Sequence, residues 1–274
     1  MVEVAGFEIH GKVLDPPTGA LWRATDLIEG RTVGLKQIVA AGPGAGSRLR
    51  AAVDVLAASP HPNLVEVHRL VYSRDALWLV EEWVDGVLLD QLPAGTMTAQ
   101  QAVATMAGVL HGLTHAHHLG IVHGDVSPAT IVVMPGGLPR LFDFCLAGPT
   151  GTTGVPSAPR FTSPEGKNGQ VLTPASDVFS AAALLARLLS RTLRAGSATA
   201  RPPVELIPGP LRPVLNQALC PSPEDRFQSA GDLLHALDLA AQRTFGLGWL
   251  SSATFAQVPQ QRRAPASSYT AAAG

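Results

Sequence analysis

Cysteine is scarce, with two in 274 residues, Cys145 and Cys220. They cannot form a disulfide framework and lack metal-ligand spacing. Charged residues make up only 15%, against about 25% in ordinary domains. Neither sign prevails: 20 Lys and Arg against 21 Asp and Glu leave a net charge of -1. No global field therefore draws in nucleic acid or an anionic membrane. Long hydrophobic runs are missing too. The longest, Ala181 to Leu189, is broken by Arg187 and is shorter than the roughly 20 residues that span a bilayer. Met1 to His10 carries Glu3 and Glu8 and no basic region, so it does not read as a signal peptide. The expectation is a cytoplasmic chain with neither nucleic acid nor membrane as partner.

Apolar residues are plentiful at 46%, which excludes a solvating, disordered chain and supplies a sizeable core. The 27 glycines and 23 prolines forecast many turns. The first part reads as short strands at residues 7–14, 21–26, 32–39, 64–72 and 77–83, interrupted by one helix from Ser47 to Ala58. After Gly86 the pattern becomes helical. Thr98 and Gln101 have capping-box spacing. Val103, Met106, Leu110 and Leu113 follow as one apolar stripe toward Gly120. Short strands fit 121–122, 130–134 and 139–142, and helices fit 176–189, 211–219 and 229–243. The last part is rich in Ala, Ser, Gln and Pro and reads as a disordered tail. The expected organisation is α+β: a β-rich lobe over 1–84, a larger helical lobe over 85–245, and a tail over 246–274.

The most informative segment runs from His123 to Ile131 (HGDVSPATI), followed a dozen residues later by Asp143-Phe144-Cys145. Two carboxylates at this spacing, each beside short strands, can face one cleft. One can orient a hydroxyl nucleophile while the other holds Mg²⁺. The order of the surrounding motifs resembles that of the eukaryotic-type Ser/Thr protein kinase family. Val33-Gly34-Leu35-Lys36 resembles its lysine strand, His61 to Val65 the motif after the small-lobe helix, and Glu81 to Val84 the hinge. His123 to Ile131 resembles the catalytic loop and Asp143 to Cys145 the metal-binding motif. Ser163-Pro164-Glu165, Ser176 to Ser180 and Pro223 to Arg226 resemble the large-lobe motifs.

The resemblance implies a two-lobed kinase fold with ATP and Mg²⁺ as cofactors and a protein as substrate or partner. It implies that Lys36 neutralises ATP phosphates, Asp125 orients the acceptor hydroxyl and Asp143 binds the metal. Gly19, Leu21, Gly34, Glu82, Thr130 and Val132 would complete the nucleotide site. Glu165 would pair with Arg226, Asp177 would anchor the catalytic loop, and Leu56, Val67, His123 and Phe144 would stack as a spine between the lobes.

The departures from the family pattern imply a degenerate, pseudokinase-like, bacterial-style member. The phosphate loop is Leu14-Asp15-Pro16-Pro17-Thr18-Gly19, with one glycine. Its prolines remove N–H donors, and Asp15 adds negative charge. The helix glutamate that should partner Lys36 falls at Ala52, while Asp54 lies on another face. Thr130 replaces the second metal ligand and Ser127 the loop lysine. Gly124 replaces the arginine that reads a phosphorylated activation loop, and Cys145 the glycine after Asp143-Phe144. Two readings of Glu81 stay open: it pairs with Lys36 in place of the missing glutamate, or it points outward to solvent. His111, His115, His117 and His118 read as a solvated helix end rather than a metal site. Cys145 reads as an inert thiol, and Arg262 and Arg263 are too few for nucleic acid.

Three functions follow: a weakly ATP-binding regulatory or binding module with low or no phosphoryl transfer, an active Ser/Thr kinase with an atypical site, and, least favoured, a small-molecule phosphotransferase. Gly124 generates a prediction. Glutamate at Thr150, Thr152, Thr153 or Ser157 raises phosphoryl transfer by less than about tenfold, because the phosphate-reading arginine is absent. Radiolabelled transfer assays on these variants check it.

Overall fold

The computed structural model describes residues 2–15, 19–38, 45–73, 76–93, 95–144, 158–193, 207–253 and 255. Pro16, Pro17, Thr18, Cys145, Thr150, Thr152, Thr153, Ser157, Arg262 and Arg263 lie outside them. The chain begins with β1 (Phe7–Leu14), β2 (Leu21–Asp26), β3 (Arg31–Ile38), α1 (Ala45–Ala57), β4 (Val67–Ser73) and β5 (Ala76–Glu82). The strands form one antiparallel sheet in the order β1-β2-β3-β5-β4.

Alternation along β3 and β5 sorts their side chains between two cores. Val33, Leu35, Trp78 and Val80 pack with Phe7 and Val4 on one face. Ile38, Leu77 and Leu79 face α1, whose Leu49, Ala52, Val53 and Leu56 are buried. Asp54 is exposed on the opposite side of that helix. Gly34 stands opposite Glu81, and Lys36 opposite Leu79, so Gly34, Lys36 and Glu81 share one face.

The second lobe contains β6 (Val87–Leu88), α2 (Ala99–His118), β7 (Ile131–Val133), β8 (Pro139–Leu141), α3 (Pro164–Lys167), α4 (Pro174–Leu193), α5 (Leu211–Ala218), α6 (Ala230–Phe245) and α7 (Trp249–Ser252). Strands β6, β7 and β8 make a small antiparallel sheet. Thr98 and Gln101 close the expected capping box on α2. The nearly all-apolar α4 buries Val178, Leu184, Leu185 and Leu189 in the main core. This is the two-lobed α+β architecture that the motif order implies. No helix of the described residues is long and apolar enough to cross a membrane.

The segment after α1 joins the lobes. The Asn63 side chain donates to Pro139 O at 3.0 Å. The Leu141 N–H donates to Asn63 O, and the Val65 N–H to Leu141 O, both at 2.9 Å. Glycines on α2 make this dock possible. A Cβ on Gly108 would lie 2.6 Å from Pro139 Cγ, and one on Gly112 2.7 Å from Leu64 Cδ2.

Three expectations change. The disordered tail does not begin at 246: α7 continues the ordered chain, and Trp249 is only 3% exposed. Periodicity over a four-residue helix is too short to read, so one aromatic anchor orders the segment. The strand expected at 121–122 is reduced to a bridge at Ile121. The histidines of α2 are not simply a solvated helix end. His115 stacks on His61 with centroids 4.9 Å apart, its ring meets Ser59 O at 2.8 Å, and His117 reaches into the core toward α4. No group of three or more His, Cys, Asp or Glu among the described residues has metal-binding geometry.

Trp249 Nε1 donates to Asp238 at 2.8 Å, and Gln100 donates to Trp249 O at 2.6 Å. Trp249→Ala therefore destabilises the protein by about 3–5 kcal/mol, measured as a lowered denaturation midpoint.

Candidate functional site

Between the lobes lies a cleft, open to solvent, whose walls include Leu14, Leu21, Gly34, Glu81, Val132 and Phe142. Leu21, Gly34 and Val132, expected to sandwich a base, all line it, as does Glu82. Gly19, also expected at the nucleotide site, is not among the residues that line the cleft; it has φ +126°. A Cβ there would meet Gln37 O at 1.8 Å, so glycine is sterically required.

Asp177 sets the lower wall from inside the core. It is fully buried, and its carboxylate accepts the N–H groups of His123 and Gly124 at 2.8 Å each. His117 Nε2 adds a third contact at 2.8 Å. Burial resists the charge of Asp177, but these donors outweigh it and hold its pKa below the usual range. Gly124 adopts φ +78°, a left-handed backbone that glycine takes without strain and that aims successive N–H groups at one carboxylate. The loop arginine is thus replaced by a residue that serves the anchor.

His123 is fully buried. Its Nδ1 accepts the Asp125 N–H at 3.1 Å, so Nε2 carries the proton and donates to Phe142 O at 2.8 Å. Its ring meets Phe144 edge-on at 4.6 Å. Leu56, Val67 and Phe144 line one small cavity, and Phe144 links them to His123, so the expected spine residues come together. Asp125 stands half-buried on the anchored loop.

Lys36 is 1% exposed and forms an ion pair with Asp143. Asp143 has φ 73°, a left-handed conformation that aspartate tolerates better than most side chains. Its Oδ1 is buried without a hydrogen-bond partner. A hard carboxylate oxygen left open beside Lys36 fits a Mg²⁺ ion completed by water and phosphate oxygens.

The second ligand position does not fit. Thr130 is buried. Its hydroxyl lies 3.1 Å from Asp125 O and Ser127 O and accepts the Ser127 N–H. The site residue expected to help hold the cofactor is instead a brace for the loop. Ser127, at the loop-lysine position, is fully buried.

Two other expectations are corrected. Asp15 does not confront the phosphate site with a bare charge, because Lys12 pairs with it at 2.6 Å. Glu81 does not point to solvent: it is 4% exposed and lines the cleft, while Lys36 makes its ion pair with Asp143. Burial chiefly, with the charge of Asp143, pushes Glu81 up to about 8 against the opposing pull of Lys36. Glu81 is therefore mostly neutral at pH 7. Glu82 turns its carboxylate to Arg140, with contacts of 3.0 and 2.5 Å, and Arg140 also donates to Leu64 O. This clamp between the lobes was not legible: Arg140 belongs to no motif, and its partners lie 58 and 76 positions away.

Glu165 and Arg226 form the expected pair, bidentate at 2.8 and 2.9 Å. Arg226 also reaches the carbonyls of Ala175, Cys220 and Pro221, and Ser176 donates to Glu165 at 2.7 Å. Burial opposes ionisation of Glu165, yet Arg226 and Ser176 outweigh it and hold the pKa at about 2.

The sequence profile described as "Protein kinase domain" matches residues 18–207. Among similar proteins, the serine/threonine-protein kinase PknJ of Mycobacterium tuberculosis is 32% identical over 242 residues, covering 78% of this chain and 41% of that protein. The serine/threonine-protein kinase PkaA of Streptomyces coelicolor is 29% identical over 265 residues, covering 82% of this chain and 48% of that protein. The chain spans less than half the length of these relatives. The crystal structure of the Mycobacterium tuberculosis PknI kinase domain, as a C20A mutant, superposes with a TM-score of 0.71 at 25% identity, covering 88% of this chain and 97% of that one.

The Glu165–Arg226 pair yields a pH prediction. A depressed carboxylate contributes stability that is complete above its unfolded value, here 4.5, and is lost as pH falls toward 2. Arg226→Ala costs about 3–5 kcal/mol near neutral pH, because a buried charge loses its partner. That cost shrinks between pH 4.5 and 2, as denaturant titrations across this window will show.

Proposed function

The chain belongs to the protein kinase family, and from that premise we propose that it is a degenerate member that binds ATP weakly and transfers phosphate slowly or not at all, acting as a regulatory module on a protein partner. One observation carries the reading: the hydroxyl of Thr130 is spent bracing the loop. Phosphoryl transfer depends on positioning and electrostatic stabilisation of developing charge. With Asp143 offering one open carboxylate oxygen and Ser127 buried where the family's loop lysine would stand, this site has a thin supply of both. Lys36 and Asp143 support a residual affinity for a Mg²⁺-bound nucleotide in the high-micromolar range, about -5 kcal/mol.

A second reading, an active Ser/Thr protein kinase, is favoured by the anchored loop. Asp177 holds the backbone of His123 and Gly124, and this fixes the loop that carries Asp125. In that case Asp125 would orient a protein hydroxyl toward the γ-phosphate of ATP.

Calorimetric titration with ATP, with and without Mg²⁺, should show weak binding that is only partly metal-dependent. Transfer from radiolabelled ATP to a generic protein substrate should not exceed that of Asp125→Asn. Transfer well above this variant, or sub-micromolar and strictly Mg²⁺-dependent affinity, would establish the active reading.

A further inference from the structure

The inner wall of the cleft holds a carboxyl that the reading above does not use. Glu81 lies on β5 directly opposite Gly34 on β3. A Cβ at Gly34 would come within 3.0 Å of Glu81 Cγ and 3.3 Å of its Oε1. The missing side chain at Gly34 is thus what makes room for the carboxyl, and Leu21 closes the same space with its Cδ1 at 3.3 Å. Glu81 is 4% exposed, and among the described residues charges act on its carboxyl but none hydrogen-bonds it. The charged groups that act on it are Lys36 from β3, Asp143 after β8, and Glu82 beside it on β5.

A buried polar group without a hydrogen bond costs free energy that a partner restores. Here the carboxyl borders the cleft, so a ligand can supply that partner. We propose that Glu81 is the specificity-determining residue of this cleft and selects a nucleobase that presents an exocyclic amine to it. The inference rests on the nucleotide-binding reading above. An amine donates to a carboxyl oxygen whether the group is protonated or ionised. A bare C–H at the same ring position leaves the carboxyl as unpaired as before. A site built around a polar partner rejects analogues that lack it far more strongly than an apolar pocket rejects a misfit.

The test is a calorimetric comparison of adenosine diphosphate and purine riboside diphosphate, which carry an amine and a hydrogen at the same ring position. They are titrated into wild type, Glu81→Leu and Glu81→Gln. The preference for adenosine over purine riboside falls about tenfold in Glu81→Leu. It persists in Glu81→Gln, whose amide oxygen still accepts. Thermal unfolding checks the fold of each variant. If the adenosine preference is the same in wild type and Glu81→Leu, the proposal is overturned while nucleotide binding stands. Should no diphosphate bind wild type, both readings fall together.

Discussion

Asp177 is a carboxylate with no exposure, at the start of a helix whose inner side is entirely core. Left alone, such a group would be among the most destabilising in the protein. It is stable because two backbone N–H groups and His117 converge on it. The dependence runs both ways: the catalytic loop has no regular structure at 122–126 to hold it, and its shape is imposed by the donors it must deliver. From this anchor the order propagates through His123, which fixes the Asp125 backbone on one side and touches Phe144 on the other. Asp143 and Lys36 follow from Phe144. The cleft chemistry is suspended from a charge that never meets solvent.

The scaffold of the large lobe rests on buried ionic contacts. Ion pairs and anchors that hold the large lobe are complete, down to the bidentate contact of Glu165 with Arg226. At the cleft, Lys36 pairs with Asp143. Thr130 and Gly124 both serve the backbone of their loop, one bracing it through its hydroxyl and the other presenting its N–H to Asp177. Gly34 and Glu81 form a compensated pair of a different kind, in which a carboxyl fills the volume that a missing methyl leaves.

Much of this was legible in the chain. Strand alternation in β3 and β5 and the capping box of α2 rest on local periodicity, and the structure follows them within a few residues. The candidate residues Lys36, Asp125 and Asp143 stand out in the sequence because their motifs fall in a recognisable order. What escaped has one physical character. Arg140, His117 and Trp249 act through partners far along the chain, and no local pattern distinguishes a buried arginine or histidine from a solvated one. Glu81 was ambiguous for a related reason: a shift of one residue reverses the face of a strand, and only the pairing with Gly34 fixes it. Lys12 beside Asp15 is the converse case, a short-range ion pair that neutralises a charge which looks damaging when its residue is read alone.

The dock of Asn63 and Leu64 against α2 carries a mechanical consequence. Gly108 and Gly112 let the loop sink to backbone distance, where hydrogen bonds to Pro139 and Leu141 lock it along the strand direction. A shear of the small lobe across the large one would have to break these hydrogen bonds, so the dock opposes sliding of one lobe over the other. The Arg140 contacts with Glu82 and Leu64 hold the same junction.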